Sequence, residues 1–323
     1  MLLFSTLQQF DISTTDFLMV LSSAGLVLFF LLAGICSPVL GLVTEGVYLS
    51  KRKAFYDKCA MQASQSALVF GFFIFFVLAG GAMLYTLQTE FNPDDLLGPM
   101  AGFIPPAVAL IFWIFYVTAW SALKKHRVVH FLLGLIGCLL LLALLACGFI
   151  LLANIQQPML FHALTTQPVP VTLALLEDFI SQPFMPLMLA GLVTTGIAIG
   201  AGLAQLWLIV RRNKADYGRD YYAFAMRYCA RFALGFTLLS LALCALTFFA
   251  LKEFTPPDLA QPQDLGITLI AAGLPLCCCL MWFTIIKSET PLRHKPGAFF
   301  ACLFLYIALC AQMLMLAAAF PMN

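Results

Sequence analysis

The stretch FLLGLIGCLLLLALLACGFILLA, residues 131–153, decides the class of fold. It contains no charged side chain from end to end, and a basic run, KKHRVVH (124–130), comes directly before it. About 20 consecutive apolar residues are needed for a helix to cross the hydrocarbon core of a bilayer. The stretch therefore predicts a transmembrane helix that starts at a basic membrane interface.

The composition extends this interpretation to the whole chain. Of its 323 residues, 63% are hydrophobic and only 10% are charged, with a mean hydropathy of +0.98. A soluble domain carries roughly 25% charged residues, because water must wet its surface. Long apolar runs, rather than short alternating ones, favour helices over a transmembrane barrel. We expect an all-α integral membrane protein with a single transmembrane domain over residues 1–323.

Hydropathy predicts about eight transmembrane helices and one long external loop, at residues 154–186. Sixteen of the 17 basic residues fall in alternate loops, and Lys252 is the exception. Because positively charged loops stay in the cytoplasm, both termini are predicted to lie outside. We expect a multi-pass protein of a prokaryotic inner (cytoplasmic) membrane. The predicted spans are 17–43, 62–86, 104–123, 131–153, 187–210, 228–251, 266–286 and 298–320.

Ionisable side chains within spans are the usual sign of chemistry in a membrane protein. Here they are almost absent from the predicted spans, and Asp16 and Glu45 stand at the two ends of the first one. We interpret both as solvated helix ends. The scarcity of charge argues against an ion-coupled transporter.

The histidines are the candidate haem or metal ligands. His126 and His130 are one helical turn apart and could share a metal, but their basic run favours an interfacial anchor. His162 lies in the predicted external loop, where it could contact a partner or a haem. Three consecutive cysteines, Cys277 to Cys279, point about 100° apart on a helix, which favours packing over metal binding. Gly196 and Gly200 form a G-x-x-x-G pattern that permits close approach of helices.

Several segments, read in order over roughly residues 1–240, resemble subunit I of cytochrome bd-type quinol oxidases. They are LQQF (7–10), AFYDKCAMQASQSALVFGFFIFFVLAGG (54–81), WSALKKHRVVHFLLGLIGCLLLLALLACGFILLANIQQP (120–158) and LAGLVTTGIAIGAGLAQLWLIVRRNKADYGRDYYAFAMR (189–227). The resemblance implies a helical respiratory scaffold with haem ligands in its first and fifth spans. Phe17 stands at the first haem-ligand position, and Pro186 or a near neighbour at the second. The family's glutamates in span three have no counterpart in AVALIFWIFYVTAW (107–120).

The resemblance and its departures lead to a functional hypothesis. The chain is expected to be a haem-free subunit of a respiratory or electron-transfer complex, not catalytic alone, which anchors redox partners and binds quinone or lipid. Candidate quinone- or lipid-binding side chains are Tyr116, Trp120, Gln205 and Arg219.

The expected partners are the lipid bilayer and other subunits, such as cytochromes or iron-sulfur proteins, with no nucleic acid. No catalytic residue and no metal site is predicted in this chain. A b-type haem subunit with unusual ligands, and a small-molecule transporter, remain the alternatives.

Overall fold

The computed structural model describes residues 14–88, 97–155, 184–215, 217–254 and 265–319. These residues form α-helices, with one 3-10 turn, Pro291–His294, before the last helix. No strand occurs in the described segments. The helices are α1 (Thr14–Cys36), α2 (Pro38–Lys51), α3 (Ala54–Gln88), α4 (Leu97–Thr118), α5 (Arg127–Ile155), α6 (Phe184–Arg211), α7 (Arg219–Phe254), α8 (Leu265–Lys287) and α9 (Lys295–Ala319).

Within the described residues, six helical stretches are long and apolar enough to cross a membrane. The all-α, multi-pass membrane class is therefore confirmed at this level. The predicted second and third spans are helical in α3 and α4, while the count of eight and the sidedness stay predictions. The six stretches are Leu18–Lys51, Arg127–Phe149, Phe184–Arg211, Arg219–Ala250, Gly266–Lys287 and Pro291–Met315.

Most helices extend beyond the predicted spans. The structure starts α7 at Arg219, whereas the predicted span starts at residue 228. Hydropathy marks only the apolar part of a helix, and the polar turns at its ends continue the same backbone hydrogen bonds. The third helix span ends earlier than the predicted residue 123, because α4 ends at Thr118 and residues 119–125 form turns.

The predicted first span is broken into α1 and α2. Ser37 forms the turn between them, and Pro38 is the first residue of α2. Proline has no backbone N–H to donate and its ring displaces the preceding turn of helix, so it commonly bends or interrupts a helix. Beyond this interruption, α2 packs against α3 and α5.

Two groups of buried side chains hold the helices together. The larger one joins α1, α6, α7, α8 and α9. The smaller one joins α3 to α4 through Ala60, Ala67, Trp113, Tyr116 and Trp120. The candidate functional site lies in and beside this smaller group.

The predicted close approach at Gly196 and Gly200 is confirmed. A Cβ atom on Gly196 would lie 2.6 Å from the Sγ atom of Cys36, and one on Gly200 would lie 2.8 Å from the Cα atom of Ser37. These two glycines therefore let α6 lie directly against the break between α1 and α2.

Candidate functional site

A buried carboxylate is at the centre of the polar contacts between α2, α4 and α5. The Glu45 side chain, on α2, is 0% exposed. The hydroxyl group of Tyr116 donates a hydrogen bond to its Oε2 atom at 2.7 Å. The Nδ1 atom of His130 lies 2.7 Å from its Oε1 atom. Both carboxylate oxygens thus have a close hydrogen-bonding neighbour, as a buried charge requires.

His130 is held at both ring nitrogens. Its Nε2 atom lies 2.8 Å from the backbone carbonyl oxygen of Tyr116, and its side chain is fully buried. One residue of α4 therefore contacts the Glu45–His130 pair twice, through its hydroxyl and through its main chain. This arrangement fixes the orientation of the imidazole ring relative to the carboxylate.

Arg127 connects this pair to the protein surface. Its Nη1 atom lies 3.7 Å from Oε1 of Glu45, and its Nη2 atom donates to Oδ1 of Asp57 at 2.9 Å. The Arg127 side chain is 6% exposed and that of Asp57 is 25% exposed. The charges therefore run from a fully buried glutamate to an aspartate in contact with solvent. We call Glu45, Asp57, Tyr116, Arg127 and His130 the polar cluster.

Aromatic rings enclose the polar cluster. The rings of Tyr116 and His130 have their centroids 4.4 Å apart, and Trp120 meets His130 edge to face at 4.7 Å. The guanidinium group of Arg127 lies 5.0 Å from the ring of Trp120 and 5.7 Å from that of Tyr48. Cation–π contacts of this kind strengthen when water is excluded. The rings thus hold the charges in place and shield them.

A glycine on α5 makes this packing possible. A Cβ atom on Gly134 would lie 2.7 Å from Cδ2 of Tyr116. Only a residue without a side chain lets the tyrosine ring lie flat on α5, one turn from His130. The ring of Tyr116 also contacts that of Trp113 in a tilted arrangement, with centroids 4.6 Å apart.

The structure corrects two expectations about these residues. Glu45 is not a solvated helix end, because α2 lies against α3 and α5 and the Glu45 side chain is buried. His130 is not an interfacial anchor either, whereas His126 is exposed in the turn before α5. The expectation that charge is nearly absent from the protein interior is therefore wrong at the polar cluster.

An apolar cavity of about 250 Å³ is lined in part by Trp113, whose ring contacts Tyr116 of the polar cluster. It is bounded by α1, α3, α4, α5 and α6. An engineered apolar cavity of about 150 Å³ stays dry and takes up benzene, so this volume suits an apolar guest. We call this space the α1–α6 cavity. Its lining includes Leu31, Ile35, Ala67, Trp113, Leu145 and Gly148.

The four predicted quinone- or lipid-binding residues do not form one site. Tyr116 and Trp120 lie together in the packing around His130. Gln205 is buried between α6 and α7, where its amide donates to the carbonyl oxygen of Met226 at 3.1 Å. Arg219 is exposed and lines a separate surface pocket with Arg227 and Arg231. Sequence reasoning missed Glu45 and His130, although both stood near the basic ends of predicted spans.

The other candidate ligands give no metal centre in the described residues. His162 lies outside them. Among the residues that the structure describes, no group of three or more His, Cys, Asp or Glu side chains could hold a metal ion. Cys277 is exposed, whereas the thiol of Cys278 is buried and donates to the carbonyl oxygen of Ala301 at 3.2 Å. The three cysteines diverge, as the helical spacing predicts.

Comparisons with known proteins add no relative. No protein-family model matches the chain, and neither a curated protein nor a solved structure matches it. The resemblance to subunit I of cytochrome bd-type oxidases therefore stays a prediction from the sequence.

Proposed function

We propose that this chain is an integral membrane subunit of a respiratory or electron-transfer assembly, and that it binds a lipid-like molecule in the α1–α6 cavity. The observation that carries this proposal is the cavity itself, apolar on all five helices and placed beside Trp113. The ordered resemblance described above supplies the respiratory context. The proposed location is the prokaryotic inner membrane, with eight spans and both termini outside.

The buried contacts refine the sequence-based idea of a quinone site. The hydroxyl of Tyr116 is donated to Glu45, and the indole N–H of Trp113 is donated to the carbonyl oxygen of Ser64 at 3.3 Å. Neither group is available to hold a quinone head. The cavity is therefore suited to the apolar part of the ligand, an isoprenoid tail or an acyl chain.

Purification in a mild detergent tests the proposed assembly. An affinity-tagged chain should bring down further subunits in fixed ratio, identified by mass spectrometry, and among them cytochromes or iron-sulfur proteins. Recovery of the chain alone from native membranes, at every detergent strength, would contradict the subunit proposal. A reduced-minus-oxidised spectrum of the isolated chain should show no b-type band, and a band that is lost in His162→Ala would favour the haem alternative.

The polar cluster favours one second candidate, an ion-coupled transporter. Glu45 and His130 are fully buried ionisable groups in a helical membrane protein, which is where proton and ion pathways are found. Reconstitution of the purified chain alone into liposomes separates the two candidates. Uptake of solutes driven by a proton gradient, by the chain without partners, would favour transport over the subunit proposal.

A further inference from the structure

The contacts of His130 determine how many protons the polar cluster holds. Its Nε2 atom faces the backbone carbonyl of Tyr116, which can only accept a hydrogen bond. That nitrogen must therefore carry a proton. Its Nδ1 atom faces Oε1 of Glu45 at 2.7 Å. A neutral imidazole with its proton on Nε2 and an ionised carboxylate would present two lone pairs to each other.

A second proton resolves this contact. It lies between Nδ1 of His130 and Oε1 of Glu45, either as an imidazolium with a carboxylate or as a neutral imidazole with a carboxylic acid. The total charge is the same in both forms. The alternative ring orientation, rotated by half a turn, is worse. Carbon atoms would then face both acceptors, and both hydrogen bonds would be lost.

Arg127 is placed to replace that proton. Its Nη1 atom is buried, makes no hydrogen bond to any described residue, and lies 3.7 Å from the same Oε1 atom. A buried N–H group without an acceptor costs free energy. If the shared proton leaves, a small movement of the guanidinium group lets Nη1 donate to the oxygen that has lost its partner. The structure therefore offers a donor for each of two protonation states.

The polar cluster is also connected to solvent. Arg127 holds Asp57 through its other terminal nitrogen, and a quarter of the Asp57 side chain is exposed. Asp57 is in the first turn of α3, four residues after the connection at residues 52–53. This connection joins the last residue of α2 to the first of α3 and is basic, with Lys51, Arg52 and Lys53 in sequence.

We propose that Glu45 and His130 form a proton-binding site that takes up and releases one proton from the side of the membrane where Asp57 lies. On release the bond between the shared proton and its oxygen or nitrogen breaks, and the proton passes to water. The pair keeps the carboxylate and a neutral imidazole, and no electron moves. The proposed proton-binding site does not depend on whether the chain is a respiratory subunit or a transporter.

The titratable and charged groups that contact Glu45 or its partners come from three neighbouring helices. α4 contributes Tyr116, α5 contributes Arg127 and His130, and α3 contributes Asp57 through Arg127. Tyr48, on the same helix as Glu45, lies under the guanidinium group. Arg127 and Asp57 balance each other, so the shared proton keeps the polar cluster neutral.

The test is an infrared pH titration of the full-length protein in lipid. In wild type, one carboxyl and imidazole change, equal to one proton per chain, should belong to the buried pair. Glu45→Gln should lose this change, because the glutamine oxygen accepts from Tyr116, its NH₂ group donates to Nδ1 of His130, and no titratable proton is left between them. Glu289→Gln, which makes the same chemical change at an exposed position, should keep it.

Nitrogen NMR of histidine-labelled wild type gives the same answer without relying on the folding of a variant. The resonances of one buried imidazole should change between acid and alkaline pH. Persistence of the infrared change in Glu45→Gln would overturn the proposal. So would infrared and NMR spectra of wild type in which neither a buried carboxyl nor a buried imidazole responds to pH.

Discussion

Glu45, on α2, illustrates how a single buried charge is satisfied by side chains of two neighbouring helices. Removing a carboxylate from water costs several kcal/mol, which its partners must offset. The hydroxyl of Tyr116, the imidazole of His130 and the guanidinium group of Arg127 all lie around it. The stability of the α2–α4–α5 packing should therefore depend on which of these contacts a substitution keeps.

Two substitutions at Glu45 should have very different costs. Glu45→Ala leaves Tyr116 and His130 without partners and is expected to lower the free energy of unfolding by about 3–5 kcal/mol. Glu45→Gln keeps a hydrogen bond to each of them and should cost only about 1–2 kcal/mol. Equilibrium unfolding in mixed detergent micelles measures both values. Equal costs for the two variants would show that the hydrogen bonds to Glu45 do not hold the helices.

Arg127 gives a second prediction at this scale. Arg127→Leu removes the partner of Asp57 and the cation–π contacts with Trp120 and Tyr48, and should destabilise the protein by about 2–4 kcal/mol. Lys124→Leu removes a charge from an exposed position nearby and should change stability by less than about 0.5 kcal/mol. Thermal unfolding of the two variants side by side gives the comparison. A similar loss in both would mean that only the net charge matters.

Sequence reasoning named Glu45, Tyr116 and His130 for separate reasons and gave none of their contacts. Glu45 and His130 are 85 positions apart, and nothing in either local pattern links them. The predicted spacing of one helical turn between His126 and His130 is confirmed, because the backbone N–H of His130 donates to the carbonyl oxygen of His126 at 3.1 Å. The spacing could not show that His126 is exposed while His130 is buried.

At the scale of helices, the break between α1 and α2 matters most. It lies where α6 contacts the end of α1 and Ser37 through Gly196 and Gly200, and α2 after it packs against α3 and α5. The close approach depends on glycine, because Ser37 is nearer to Gly200 than any side chain would allow. Hydropathy placed a helix here but could not show the break, since Ser37 and Pro38 do not interrupt the apolar run.

Alanine substitutions at two glycines should have opposite signs. In Gly200→Ala the new methyl group meets the backbone of Ser37, and overpacking of this kind costs about 1–3 kcal/mol. In Gly235→Ala, on α7, the new Cβ meets nothing within 4 Å, and the gain in helix propensity is up to about 1 kcal/mol. Unfolding in mixed micelles measures the two signs. A stable Gly200→Ala protein would mean that α6 does not lie against the break as described.

Over the whole molecule, large apolar side chains face outward from several helices. Phe76 on α3 and Leu280 on α8 are each 68% exposed, and Phe249 on α7 is 63% exposed. Such a surface would aggregate in water, and it suits the hydrocarbon of a bilayer. The composition predicted this outer surface well, because burial against lipid depends only on the hydropathy of each face.

The orientation in the membrane is the fourth prediction. With basic loops in the cytoplasm, alkaline phosphatase fused after residue 323 should be active, because this enzyme folds only outside the cytoplasm. The same enzyme fused after Lys125 should be inactive. Activity at Lys125 and none after residue 323 would invert the proposed topology.

Native mass spectrometry of protein released from lipid nanodiscs tests directly whether a lipid-like ligand binds in the α1–α6 cavity. Wild type should carry a bound molecule with an isoprenoid or acyl chain. Gly148 lines the cavity and has nothing within 4 Å of its Cβ position, so the side chain in Gly148→Leu should enter the space.

Occupancy in Gly148→Leu should fall by about tenfold, which corresponds to ~1.4 kcal/mol of binding free energy. Gly235→Leu, equally open but away from the cavity, should keep wild-type occupancy. A wild-type protein without a bound molecule, or equal occupancy in all three proteins, would contradict ligand binding in the α1–α6 cavity.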